Sequence, residues 1–266
     1  MTAASVLAGR IAVAALFFGA WEGGARLGWL DPFFFSRPSS VAARVGEMIA
    51  TGKVWPHLAT TTLEAALAFL LGSLLGIVCG FALARSRWMA EVLGPYIQVA
   101  NSLPRVVLAP VFLLWFGLGV ASKVALGVTV VFFVVFFNTM KGVREVPQPL
   151  IDNARMLGAT ERQLARHVLL PSALAWIFSS LEISVGLSII AAVVGEYLGA
   201  VRGIGYLIAQ AEGVFDTTGV FAGMVFLAAF VLIVSALVSR LERRLLRWRP
   251  AEAHRLGATS QSVVRG

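Results

Sequence analysis

The sequence predicts an all-α membrane protein, a polytopic helical bundle of about six transmembrane helices. Hydrophobic residues fill 58% of its 266 positions and charged residues 14%, with a mean hydropathy of +0.84. That leaves too little polar side chain to coat a water-soluble globule of this length. Three windows, Ala65 to Ala84, Val124 to Met140 and Thr217 to Ser239, hold no charge over 20, 17 and 23 residues. Each is long enough to cross about 30 Å of hydrocarbon as a helix. Three further spans carry an interruption or a charged flank: Val6 to about Leu27, about Val92 to Leu118 around Arg105, and Pro171 to about Gly195 around Glu182.

In the first span Arg10 precedes a modest apolar run from Ile11 to Trp21, the layout of a secretory signal. With no soluble domain after it, it reads as an uncleaved anchor. Pro38 then opens a helix whose Val41, Val45, Met48 and Ile49 share a face, suited to lying on the outer interface, and Gly52 ends it. The second span spaces Gly72, Gly76 and Gly80 four apart, giving one side-chain-free face for close helix packing or, less simply, a hinge. The third span contains Pro104 and Pro110 and ends in Gly117 and Gly119, so its hydrogen-bond ladder must break. Broken helices at membrane depth border cavities. Arg105 at that break either snorkels to the headgroups or lines a path.

Between the fourth and fifth spans lies a helix, a glycine elbow and a second helix, within residues 145–171. Pro149 starts the first helix, with Leu150, Ile151, Ala154 and Leu157 on one face. Gly158 supplies the left-handed residue that stops it. Thr160 and Gln163 have capping-box spacing, Leu164 and Val168 sit one turn apart, and Pro171 begins the fifth span. Glu182, about 16 Å along the helix from Pro171, is too deep to snorkel and must face protein or water. Glu196, near the outer end, is adequately explained by the interface. The Gly203-Ile204-Gly205 turn after it lacks the strand and full glycine set of a phosphate cradle. Residues 1–250 form one membrane domain on this reading, and 251–266 a disordered tail.

Charge sets the orientation. With the N-terminus inside, 15 Lys and Arg residues fall in cytoplasmic segments and six outside, which places both termini and the elbow in the cytoplasm. The net charge of +8 is concentrated in those segments and in Arg240 to Arg249, where it suits anionic lipid of the bilayer; no nucleic acid is implied. His57, His167 and His254 lack metal-ligand spacing, and Cys79 stands alone in the second span, so no metal, cofactor or intramolecular disulfide is expected. No Gly-x-x-x-x-Gly-Lys-Ser/Thr sequence occurs, so ATP cannot be used by the usual phosphate loop. Nor is there a Ser-His-Asp, His-Glu-x-x-His or paired-Asp signature of an intramembrane enzyme.

The interval from Asp152-Asn153-Ala154 through Gly158 to Val168-Leu169-Leu170-Pro171 resembles the cytoplasmic loop of ATP-binding-cassette (ABC) importer permeases. That loop reads Glu-Ala-Ala, three residues, Gly, nine residues, Ile, any residue, Leu-Pro. Asp152 replaces Glu, Val168 replaces Ile, and only Asn153 changes character. The run Asn101-Ser102-Leu103-Pro104-Arg105, then Ala109-Pro110, Leu114-Trp115-Phe116-Gly117-Leu118-Gly119 and Ser122-Lys123, is similar to the branch that handles nitrate, sulfonates and taurine. The likeness extends from about Ser36 to Pro250 and ends in Leu241-Glu242-Arg243 to Trp248-Arg249.

The resemblance implies a type I importer permease subunit in a bacterial inner membrane, paired as a homodimer with two ATPase subunits and a periplasmic solute-binding protein. It makes Asp152, Asn153, Ala154, Leu157, Gly158, Ala159 and Pro171 the ATPase-coupling loop. Arg105, Glu182 and Glu196, the charges within or at the end of spans, are the candidate residues of the translocation path, and at Glu182 the sequence departs from the family, which has a basic residue near that point. Nitrate, an alkanesulfonate, taurine or a pyrimidine or flavin precursor all suit it. The alternative is a proton-coupled secondary transporter using Glu182 and Glu196. That reading requires inverted halves with paired broken helices, and one broken helix is evident.

Overall fold

The structure, a computed structural model, describes residues 3–245. The expected tail at 251–266 and the end of the family likeness at Trp248-Arg249 lie outside the described residues. Among these residues every regular element is helical. Five helices are long and apolar enough to cross a membrane, and a bent pair makes a sixth crossing if counted as one span.

Helix α1 (Ala3–Arg26) runs along the edge of the bundle with almost all of its apolar surface open. It is tied to the rest at its end, where Trp21 lies 5.2 Å from Phe221 and Glu22 accepts from the backbone N–H and hydroxyl of Ser39. A short turn, α2 (Pro32–Phe35), is capped by Asp31. Helix α3 (Pro38–Ala50) starts at its proline, and Gly52 takes φ +74° just beyond its end. The expectation of an interfacial helix is corrected, because Val41 is buried and Val45 and Met48 pack into a core with Val54, Ile204, Ile208 and Phe226. Only Ile49 of its apolar face stays exposed. Arg44 fastens α3 by an ion pair with Asp216 at 3.1 Å.

Helix α4 (Val54–Arg85) is 32 residues long, about 48 Å by helical rise, and begins 11 residues before the charge-free window. It packs along α7 (Val120–Arg144) through its glycines. A methyl group on Gly72 would sit 2.8 Å from Val131 Cβ, one on Gly76 2.9 Å from the Phe132 carbonyl, and one on Gly80 2.6 Å from that of Phe136. Bare backbone is what allows the two helices to come this close.

Between them the chain makes α5 (Arg87–Ser102), a 3₁₀ turn (Arg105–Leu108) and α6 (Ala109–Phe116). The expected bent span is a near right angle of 88°. Pro104 precedes the turn and Pro110 sits in the first turn of α6, where missing N–H groups cost nothing but continuation from α5 is blocked.

After α7 come α8 (Gln148–Met156) and α9 (Glu161–Leu164), with the Thr160–Gln163 capping box formed as the spacing predicts. Pro171 does not restart the chain: the helix runs unbroken from Glu161 to Leu198. A π-helical turn at Ala165–Leu169, in which the Leu170 N–H reaches the Ala165 carbonyl, leads directly into α10 (Leu170–Leu198). The wider turn accommodates a proline that has no N–H to give. Helices α11 (Ile204–Gly213) and α12 (Thr217–Leu245) complete the bundle, with α4, α7 and α10 at its centre.

Candidate functional site

The elbow is built on a helix end where the carbonyls of Asn153, Ala154 and Arg155 all accept backbone hydrogen bonds. Gly158 lies at φ +84° and donates to the Arg155 carbonyl at 2.9 Å, while Ala159 donates to that of Ala154 at 3.0 Å. This is the paired bonding of a Schellman stop, and the left-handed residue is what makes it possible. The apolar face of α8 splits. Ile151 and Ala154 turn inward onto a core of Val143, Val146, Leu164, Leu169, Ala173 and Ile177, which also draws in Ile77 and Phe81 of α4. Leu157, expected on the same face, instead points out with 88% of its surface open, beside Met156 at 84%. Asp152 is exposed and accepts from Gln148 one turn back; Asn153 and Pro171 are exposed too. Glu161 binds both Arg155 at 3.1 Å and Arg85 at 3.5 Å, tying the elbow to the end of α4. An apolar knob thus stands on a base shared by three central helices.

A second feature follows the broken helix. Arg105 donates to the Asn101 carbonyl at 2.6 Å and to the Asn101 side chain, and its guanidinium lies 5.0 Å over the Phe133 ring. It is therefore held inside the break rather than extended toward a headgroup. Beside Asn101 opens a cavity of about 450 Å³ bordered by Gln98, Phe137, Met140 and Arg144. A second hollow of about 510 Å³ shares Ala90 and Arg144 with it and adds Arg85, Arg87 and Glu91. Together they form a trough along the α5–α7 face, whose lower end stays net basic although Arg87 pairs with Glu91 at 2.9 Å and Arg85 with Glu161 at 3.5 Å.

The two acidic residues singled out from the sequence part company. Glu182 is exposed on the flank of α10. Glu196 is only 1% exposed, which corrects its expected interface placement. It accepts from the Thr61 hydroxyl at 2.6 Å and the Gly205 N–H at 2.7 Å. Two charged neighbours escaped the sequence reading, Glu64 at 2% and Lys123 at 1% exposure. Each borders a charge-free window, Glu64 one residue before Ala65 and Lys123 one before Val124, so a window defined by the absence of charge stops short of both. His57, also read as incidental, takes the Gly203 N–H at 3.1 Å and stacks on Tyr206.

The chain is 34% identical to the riboflavin transport system permease protein RibX of Chloroflexus aurantiacus, over 86% of its own length and 85% of the relative's. It is 33% identical to the putative aliphatic sulfonates transport permease protein SsuC of Bacillus subtilis, over 88% and 85%. With the taurine transport system permease protein TauC of Escherichia coli it shares 31% identity over 90% and 88%. Its fold is that of chains in the inward-facing MetNI methionine ABC transporter, with a TM-score of 0.57 at 22% identity over 72% of this chain and 93% of that one. An amino acid ABC transporter gives 0.56 at 20% identity, over 75% and 97%. Residues 72–247 match the family described as binding-protein-dependent transport system inner membrane component. With this match over most of its length and these identities, the chain belongs to this family of ABC importer permease subunits.

Proposed function

We propose that this chain passes a small anionic or organic solute across the inner membrane and takes its driving force from a separate ATPase that grips the elbow. The observation that carries the reading is the placement of Met156 and Leu157. Two apolar side chains held in water are costly to leave uncovered, and their base is the core shared by α4, α7 and α10. A groove closing on them pulls on three spans at once. Asp152, Asn153, Gly158, Ala159 and Pro171 are the surrounding elements that set the knob's shape. The chain itself is the non-catalytic subunit, and solute arrives from a binding protein on the outer side.

The path runs along the trough from Arg105 to Arg144. A second copy of this chain covers the Glu182 flank of α10, because an exposed Glu182 within a span costs several kcal/mol against hydrocarbon and none against water or protein. The basic lower end favours an anion, and the relatives named for sulfonates, taurine and riboflavin set the range of solutes to try. Both termini face the cytoplasm on the cation count. Proton relay between Glu182 and Glu196 is disfavoured by their separation, about 21 Å along one helix, and by the burial of Glu196.

Gly158→Pro and Ala154→Asp test the coupling. Proline cannot adopt φ +84° and removes the bond to Arg155, while an aspartate at 154 pushes charge into the elbow's base. In vesicles containing the ATPase and binding protein, both variants insert but lose solute-stimulated ATP hydrolysis. Full stimulation in either one contradicts the role.

A further inference from the structure

At the outer end of the bundle, remote from elbow and trough, two carboxyl groups and one amine are shut away from water. Glu64 of α4 faces Glu196 of α10 within hydrogen-bonding reach, and Lys123 of α7 acts on both by charge from beyond ion-pair distance. The surroundings of Glu196 are complete, with Thr61 on one oxygen and the Gly205 N–H on the other. Lys123 donates to the carbonyls of Leu118 at 2.6 Å and Gly119 at 3.2 Å, the acceptors a charged ammonium needs. Glu64 differs: among the described residues no donor reaches its buried Oε2. A carboxylate there, with no donor and a second carboxylate in front of it, is the least favourable of all arrangements. A carboxylic acid there has one hydrogen to donate, and the Glu196 carboxylate is its acceptor.

The geometry points to a proton-binding site: Glu64 holds a proton throughout, hydrogen-bonded to ionised Glu196, and the cluster with Lys123 is electrically neutral. The neutral cluster acts as a clamp. Thr61 receives the Ile204 N–H at 3.0 Å while donating to Glu196, and His57 receives the Gly203 N–H, so the 203–205 turn is stitched to α4 and α10 through three bonds from its own N–H groups, with the Thr61–Glu196 bond joining the two helices beneath it. Both glycines are required, since a methyl on Gly203 would overlap the Glu196 carboxyl and one on Gly205 would overlap the Val193 carbonyl. The charged and titratable groups facing the pair are Lys123 from α7 and, farther along α4 and the turn, His57 and Arg202. Glu64 and Glu196 position the turn; neither touches solute.

Infrared spectroscopy of the purified full chain in lipid reads the proton directly. The wild type shows the carbonyl stretch of a protonated carboxyl group, Glu64→Gln removes it, and Glu196→Gln does not leave it unchanged. Glutamine still donates to Glu196, so Glu64→Gln keeps its folded yield and, with the ATPase present, its uptake within about twofold. Glu196→Gln strands Lys123 and shifts the folding equilibrium toward unfolding by about 100-fold or more. Absence of the band from the wild type, its survival in Glu64→Gln, or equal loss of folded protein in Glu64→Gln and Glu196→Gln overturns the assignment. A proton that must leave during transport would make Glu64→Gln inactive while folded, and that outcome also overturns it.

Discussion

The outer turn at 203–205 and the inner elbow at 158 are both glycine corners that join helices, yet they are held by opposite means. Around Gly203 the added methyl has nowhere to go, because Glu196 fills the space; around Gly158 nothing lies within 4 Å of where a methyl would sit. The outer corner is fixed by packing and buried bonds, and its glycines are needed for room, Gly203 standing at φ +126° as well. The inner corner is fixed by its own backbone, and its glycine is needed for a positive φ alone. A corner that must transmit force to a partner keeps its surface free. A corner that must stay put buries every polar group it has.

Substitutions can break that contrast or sharpen it. The largest effect falls on the frame both corners share: Gly76→Leu drives a side chain into the Phe132 carbonyl and costs about 3 kcal/mol, read as loss of folded protein after solubilisation. Gly203→Ala comes next, with a clear drop in thermal midpoint, since φ +126° strains an alanine and the clash is with a buried carboxyl that cannot move without leaving the Thr61 hydroxyl and the Gly205 N–H. Gly158→Ala costs only the left-handed penalty of about 1–2 kcal/mol and retains coupling. If Gly203→Ala proves as mild as Gly158→Ala, the two corners are alike and the contrast fails. The smallest effect is Glu161→Ala, which removes two half-exposed ion pairs and changes stability by at most about 1 kcal/mol.

Local signals made the inner corner readable from sequence. Pro149, Gly158 and the Thr160–Gln163 pair each act on their nearest neighbours, and each does so in the structure. What failed there depended on tertiary context. Leu157 was assigned to the inward face by periodicity, but it is the last residue before the stop and rotates away from the core. Pro171 looked like a boundary until the π turn absorbed it. The outer corner was nearly invisible, because its partners come from positions 57, 61, 64, 123, 196 and 203–205 and meet only when three spans pack. Charge-free windows pointed the wrong way for Glu64 and Lys123: they end where a charge begins, whereas α4 starts ten residues before Glu64 and carries it into the bundle. The broken third span was signalled by two prolines, but its right angle was not, since nothing in a proline's own geometry sets the direction of the next helix.

Coupling through the knob is tested most directly by labelling it. Cys79 is the sole cysteine, so Cys79→Ser combined with Leu157→Cys gives one reactive thiol at the most exposed point of the elbow. A membrane-impermeant maleimide should label it in inside-out vesicles and not in intact cells. Added ATPase subunit should block the label, and a labelled elbow should no longer support solute-stimulated ATP hydrolysis. Labelling from the outer side, or full stimulation with Leu157→Cys modified, would contradict the account.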